Sequence, residues 1–69
     1  MTRAKFSCTE VVEGDEGTQV KLTPVVGGSA ENESFFKYTP FGGIELGIVN
    51  PDVVFVEGKE YYVDFTEAN

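Results

Sequence analysis

Histidine is absent from this 69-residue chain, and cysteine occurs once, at Cys8. Without imidazole the chain lacks the group that most often moves protons near neutral pH, and without a second thiol no internal disulfide can close. The same two absences exclude transition-metal sites built on Cys and His, and nucleophiles activated by a neighbouring histidine. Basic residues are scarce too: five Lys and Arg stand against twelve Asp and Glu, a formal net charge of −7. That sign disfavours generic binding to nucleic-acid phosphates and to anionic membrane surfaces. The longest uninterrupted apolar run, Val53 to Val56, is far short of the ~20 residues that cross a bilayer. Met1 to Lys5 carries basic residues with no apolar stretch behind them, so no secretory signal is expected, and the lone thiol suits a reducing cytoplasm. No glycine-rich phosphate motif of the Walker or dinucleotide type occurs.

Hydrophobic residues make up 41% of the chain and aromatics 13%, enough for a packed core rather than a disordered tail. A chain this short buries only about 60% of the surface that its unfolded form exposes, so its stability is expected to be marginal. The acidic excess reads first as a device for solubility and second as mimicry of a nucleic acid aimed at a basic groove on another protein. Glu13, Asp15 and Glu16 lack the spacing of a calcium loop and read as a solvated hairpin tip. No cofactor is expected.

Residues 1–69 read as one β domain punctuated by glycine. A two-residue period marks a first strand over Ala4 to Val12, with Ala4, Phe6 and Cys8 inward; the pattern slips at Val11 and Val12, which signals a β-bulge or an edge twist. Glu13 to Gly17 forms the hairpin tip. A second strand, Thr18 to Val26, turns Val20 and Leu22 inward and is ended or edged by Pro24. Ser29 is placed to N-cap one short helical turn ahead of Phe35. Phe36 to Tyr38 reads as another short extended piece, and Ile44, Leu46 and Ile48 alternate along the clearest strand of the middle. Asn50 and Pro51 resemble a helix start, giving a single turn over Asp52 to Phe55. Glu57 to Lys59 turns into a last strand, Glu60 to Thr66, with Tyr61, Val63 and Phe65 inward. The expected fold is mostly β: a small five-stranded barrel or half-barrel, SH3-like or OB-like, with at most one or two helical turns. Its expected core is Phe6, Leu22, Ile44, Leu46, Ile48, Val63 and Phe65.

The stretch from Glu31 to Gly43 is crowded with groups suited to recognition. If it is extended, the adjacent Phe35 and Phe36 point in opposite directions and only one can be buried. An exposed ring beside Lys37, Tyr38 and Phe41, with the hydrogen-bonding side chains of Asn32 and Thr39, suits base stacking or peptide docking; the alternative is that the segment folds over an open barrel end and plugs it. Tyr62 projects from the last strand, toward this loop or into a dimer contact. These eight residues are the candidate ligand- or partner-binding set. No catalytic residue is assigned, because a buried Cys8 acts as a small hydrophobe and so thin a core offers no cleft for paired carboxylates.

Three segments, Glu31-Asn32-Glu33-Ser34-Phe35-Phe36-Lys37-Tyr38-Thr39-Pro40, Gly43-Ile44-Glu45-Leu46-Gly47 and Gly58-Lys59-Glu60-Tyr61-Tyr62-Val63-Asp64-Phe65, resemble a family of short bacteriophage-encoded proteins that lacks an assigned activity. The resemblance implies a non-enzymatic phage accessory protein acting in the host cytoplasm, and it transfers no site residue. Three binding roles follow as expectations: counter-defence by sequestering a small ligand such as a nucleotide signal, inhibition by docking acidic residues on a basic protein groove, or a structural or decoration role in the virion. The partner is thus a protein or a small molecule, with self-association left open.

Overall fold

The computed structural model describes residues 2–69 and holds a four-stranded antiparallel sheet with one short helix. The strands are β1 (Thr2–Gly14), β2 (Gly17–Pro24), β3 (Ile44–Ile48) and β4 (Glu60–Phe65), and the helix α1 spans Ala30–Phe36. They lie in the order β3-β2-β1-β4. The fold is therefore mostly β, but the expected barrel does not form. The sheet stays open, because the piece expected as an additional strand, Phe36 to Tyr38, is the end of α1 and the turn after it.

β1 is long enough to serve two neighbours. Its first half pairs with β4 from Thr2↔Phe65 to Ser7↔Glu60, and from Phe6 onward it pairs with β2 out to Gly14↔Gly17. The β1–β2 register shifts between Cys8 and Glu10, leaving Thr9 as the extra residue. This bulge is the source of the sequence slip, and it lies upstream of where the slip becomes visible. The insertion brings Val11 opposite Val20 on the inner face and turns Val12 to solvent. Thr9 fastens the bulge by donating its hydroxyl to the Lys21 carbonyl at 3.3 Å. At the hairpin tip Gly17 takes φ +129°, and a Cβ there would stand 2.7 Å from the Ile48 carbonyl oxygen; only glycine fits.

Cross-strand partners share a face, so Ala4, Phe6, Cys8, Val11, Val20, Leu22, Ile44, Leu46, Ile48, Tyr61 and Val63 all project to one side. Of these Ala4, Phe6, Cys8, Val20 and Leu22 are buried, with Phe36 of α1 and Phe55 of the β3–β4 connection packed against them. Two lids thus cover one face of the sheet, and the molecule is thin, 39 × 32 × 16 Å. The expected core is shifted by this arrangement: Leu46 and Phe65 are exposed, while Ala4, Cys8 and Val20 take the buried places. The connection over residues 49–59 is not the expected helical turn. Asn50 Oδ1 accepts from the Asp52 amide at 2.9 Å in an Asx turn, and the chain then runs irregularly until Gly58 and Lys59 bond to Cys8, prolonging the β1–β4 ladder. Phe55 packs edge-on against Tyr61 at 5.0 Å, and the Tyr61 hydroxyl accepts from the Val56 amide at 2.9 Å.

Candidate functional site

Helix α1 is too short to stand alone and is fixed at both ends. Ser29 is its N-cap, accepting from the Asn32 amide at 3.2 Å and donating to Glu31 at 3.1 Å, with Glu31 and Glu33 in the first turn. The Glu31 carboxyl lies below its ordinary range because its own backbone amide and the Ser29 hydroxyl both stabilise the charged form. At the other end Lys37 takes φ +73°, a left-handed conformation uncommon outside glycine, and returns its amide to Glu33 at 3.0 Å. That reversal is why residues 36–38 cannot continue as a strand.

Asn32 is the pin that holds α1 to the sheet. Only 2% exposed, its side chain lies where β2 has ended at Pro24 and β1 would otherwise show a bare edge. Its Oδ1 accepts from the Lys5 amide at 2.7 Å, and its Nδ2 donates to the carbonyls of Lys5 at 2.7 Å and Val25 at 2.9 Å. One side-chain amide thereby substitutes for a peptide of the missing strand. Asn32 was a candidate binding residue in the sequence; in the folded chain it is turned inward and occupied by backbone.

The other candidates separate into two groups on opposite faces. On the covered face, Phe36 packs on the core and meets Phe35 edge-on at 4.8 Å, while Phe35 stacks on Phe65 at 5.6 Å. Helical rather than extended geometry lets both phenylalanines reach the same side. Beyond them, Tyr38 and Phe41 are 78% and 92% exposed on the loop that leads to β3, with Lys37 lying 5.5 Å from the Tyr38 ring and Thr39 exposed between. Tyr62 lies on the uncovered face of the sheet. There the Arg3 guanidinium sits 4.7 Å from its ring centre and the Lys5 ammonium 5.5 Å. Arg3 grips Asp64 with two hydrogen bonds of 2.6 and 3.1 Å, and Lys5 lies 3.7 Å from Glu60. The hydrogen bond from Arg3 holds the Asp64 carboxyl below the usual aspartate range and raises Arg3 in turn.

No family model, curated protein or solved structure matches this chain. Its chemistry has to be read from the groups themselves. Cys8 is buried beneath the lids, and among the described residues no group of three or more His, Cys, Asp and Glu side chains converges. Among the described residues no helix is long and apolar enough to cross a membrane. Two features of the covered face escaped the sequence reading. One is the Phe35–Phe65 stack, invisible because it joins residues remote in sequence. The other is a groove of about 570 Å³ beside the β3–β4 connection, whose walls include Leu22, Ile44, Leu46, Val54, Phe55 and Val63. The run Val53 to Val56 was its one signal. The exposed surface sets aromatic rings and apolar edges among carboxylates.

Proposed function

We propose that the chain is a non-catalytic binding protein that docks on another protein, with Tyr38 and Phe41 entering an apolar pocket whose rim is basic. The observation that carries this reading is the near-complete exposure of Phe41, which holds up no part of the fold yet stays in water. Burying such a ring on a partner contributes about 1.5 to 3 kcal/mol. Asn32 and the Lys37 reversal fix the helix end from which the loop departs. Glu31 and Glu33 on the adjoining helix, within a chain of net charge −7, favour a basic rim. The likeness to short phage proteins makes a host or phage protein in the infected cell the natural partner. A small ligand such as a nucleotide signal fits less well: three grooves of the described residues are lined by residues other than Phe35 to Phe41, and sequestration calls for enclosure.

The test uses the intact chain as bait in extracts of infected cells, then measures the captured protein in purified form. The expected result is a basic partner whose affinity falls about tenfold or more in Phe41→Ala, with unchanged thermal stability, and falls again at high salt. Equal binding by Phe41→Ala and Tyr38→Ala would remove the reading. So would micromolar binding of a member of a nucleotide panel in calorimetry, which would restore the small-ligand role.

A further inference from the structure

Both outer strands leave an edge unpaired, and the two edges differ in kind. Backbone groups alternate in direction along a strand. On β1, Ala4, Phe6 and Cys8 face β4, as the bonds between Cys8 and residues 58 and 59 show, so on β4 the outward residues are Glu60, Tyr62 and Asp64. On β3, by the same alternation through β2, the outward residues are Glu45 and Gly47. No hydrogen bond reaches the backbone of these two among the described residues.

The β4 edge is guarded against its own kind. An antiparallel pairing of two copies about Tyr62 would set Glu60 against Asp64 of the second copy, twice over, and like charges directly opposite are unfavourable. The β3 edge carries no such guard. It is Ile-Glu-Leu-Gly-Ile, with no proline, no lysine and one carboxylate, the kind of edge that natural sheets seldom leave open. Pairing about Leu46 sets Ile44 against Ile48, Leu46 against Leu46, and Glu45 against Gly47, with no like charges opposed.

We propose that two copies of this chain pair antiparallel through the outer edges of β3, about a two-fold axis at Leu46, into one continuous sheet. The outward groups of Glu45 and of Gly47 in the second copy exchange N–H···O=C bonds in both directions. A two-fold axis normal to the sheet keeps both covered faces on the same side. The row Val20–Leu46 of one copy therefore runs on into Leu46–Val20 of the other, and the half-exposed Leu46 side chains meet at the centre. The contact is isologous and closes on itself. The loop with Tyr38 and Phe41 precedes β3 and lies outside the paired residues, and the charge at position 47 tests the pairing separately from the docking proposed above.

Gly47 gives a test that reads sign as well as size. It has ordinary negative φ, a Cβ there meets nothing within 4 Å, and its partner on β2 is the neutral Gln19. Gly47→Lys places a cation opposite Glu45 of the second copy, and Gly47→Glu places an anion there, each at two symmetry-related positions. Sedimentation equilibrium over a concentration series is expected to show a reversible dimer. Gly47→Lys should bind its copy roughly 3- to 30-fold more tightly than Gly47→Glu, with Gly47→Gln between them. Under mild oxidation Leu46→Cys should cross-link as a dimer across the axis, while Glu60→Cys on the other edge should not. A monomer at every concentration, or a dimer indifferent to the charge at position 47, overturns the proposal. Thermal unfolding of each variant shows whether the monomer itself has changed.

Discussion

Replacing Asn32 by alanine removes three hydrogen bonds at once and leaves the Lys5 amide, the Lys5 carbonyl and the Val25 carbonyl without this partner. A typical intramolecular hydrogen bond contributes about 0.5 to 1.5 kcal/mol net, and stranding a buried partner costs more. Lys5 and Val25 are half-buried, so water restores part of the loss, and the sum comes to about 2 to 4 kcal/mol. For a domain of this size each kcal/mol moves Tm by about 4 to 8 °C, so Asn32→Ala should melt roughly 8 to 32 °C below the native chain. A core this small supplies no more than about 3 to 5 kcal/mol in all, so the variant should be partly unfolded at room temperature. Thermal and urea unfolding followed by circular dichroism measure the effect. Asn32→Asp adds a pH signature: its carboxylate would face two carbonyl oxygens, which raises its folded-state pKa above the unfolded value. Relative to the native chain, that variant should therefore be least destabilised in acid and lose stability as pH rises through the raised pKa. A drop in Tm below about 4 °C for Asn32→Ala would show that the amide is not what joins α1 to the sheet.

Other substitutions probe the remaining supports. Gly17→Ala meets both a positive φ and the Ile48 carbonyl oxygen at 2.7 Å; it should cost about 1 to 3 kcal/mol, read as a lower urea midpoint with the slope unchanged. Ser29→Ala removes the helix cap and should cost about 1 kcal/mol, visibly less than Asn32→Ala in the same assay. The Cys8 thiol, buried in the core, should react with a thiol reagent only as fast as the chain opens, so mild urea should accelerate labelling steeply. Asp64 is depressed by Arg3, so its share of stability is present above the unfolded-state aspartate value and disappears as pH falls through the lower folded one. Carboxyl NMR should find it titrating lower than a free aspartate, and Arg3→Ala should bring it back up.

The strands were legible because alternation survives in every one of them: Ala4-Phe6-Cys8, Val20-Leu22, Ile44-Leu46-Ile48 and Tyr61-Val63 each project to the inner face. Turn chemistry was equally plain at Asp15-Glu16, Pro24 and Gly58. The helix was half legible. Ser29 announced its start, but Ala30 to Phe36 has no apolar stripe of its own, since a polar asparagine makes its inward contact. The barrel was inferred from strand count, and the count failed at Phe36 to Tyr38, where aromatic content suggested a strand and the Lys37 reversal forbade one. Burial then followed from topology rather than pattern. An open sheet leaves Leu46 and Phe65 near its margins, and the 49–59 connection shelters Cys8 and Val20 instead. Tyr62 was rightly placed outward, but its neighbours, Arg3 and Lys5, become visible only once β1 and β4 lie side by side.

The attachment of α1 by one side-chain amide also bears on how the molecule comes apart. Lys5 and Asn32 stand 27 positions apart, and seven residues do not hold a helix unaided. The ladder between β1 and β4 does not pass through that joint. Opening is therefore expected to start at this joint, and hydrogen exchange should be faster at the α1 amides than along the β1–β4 ladder.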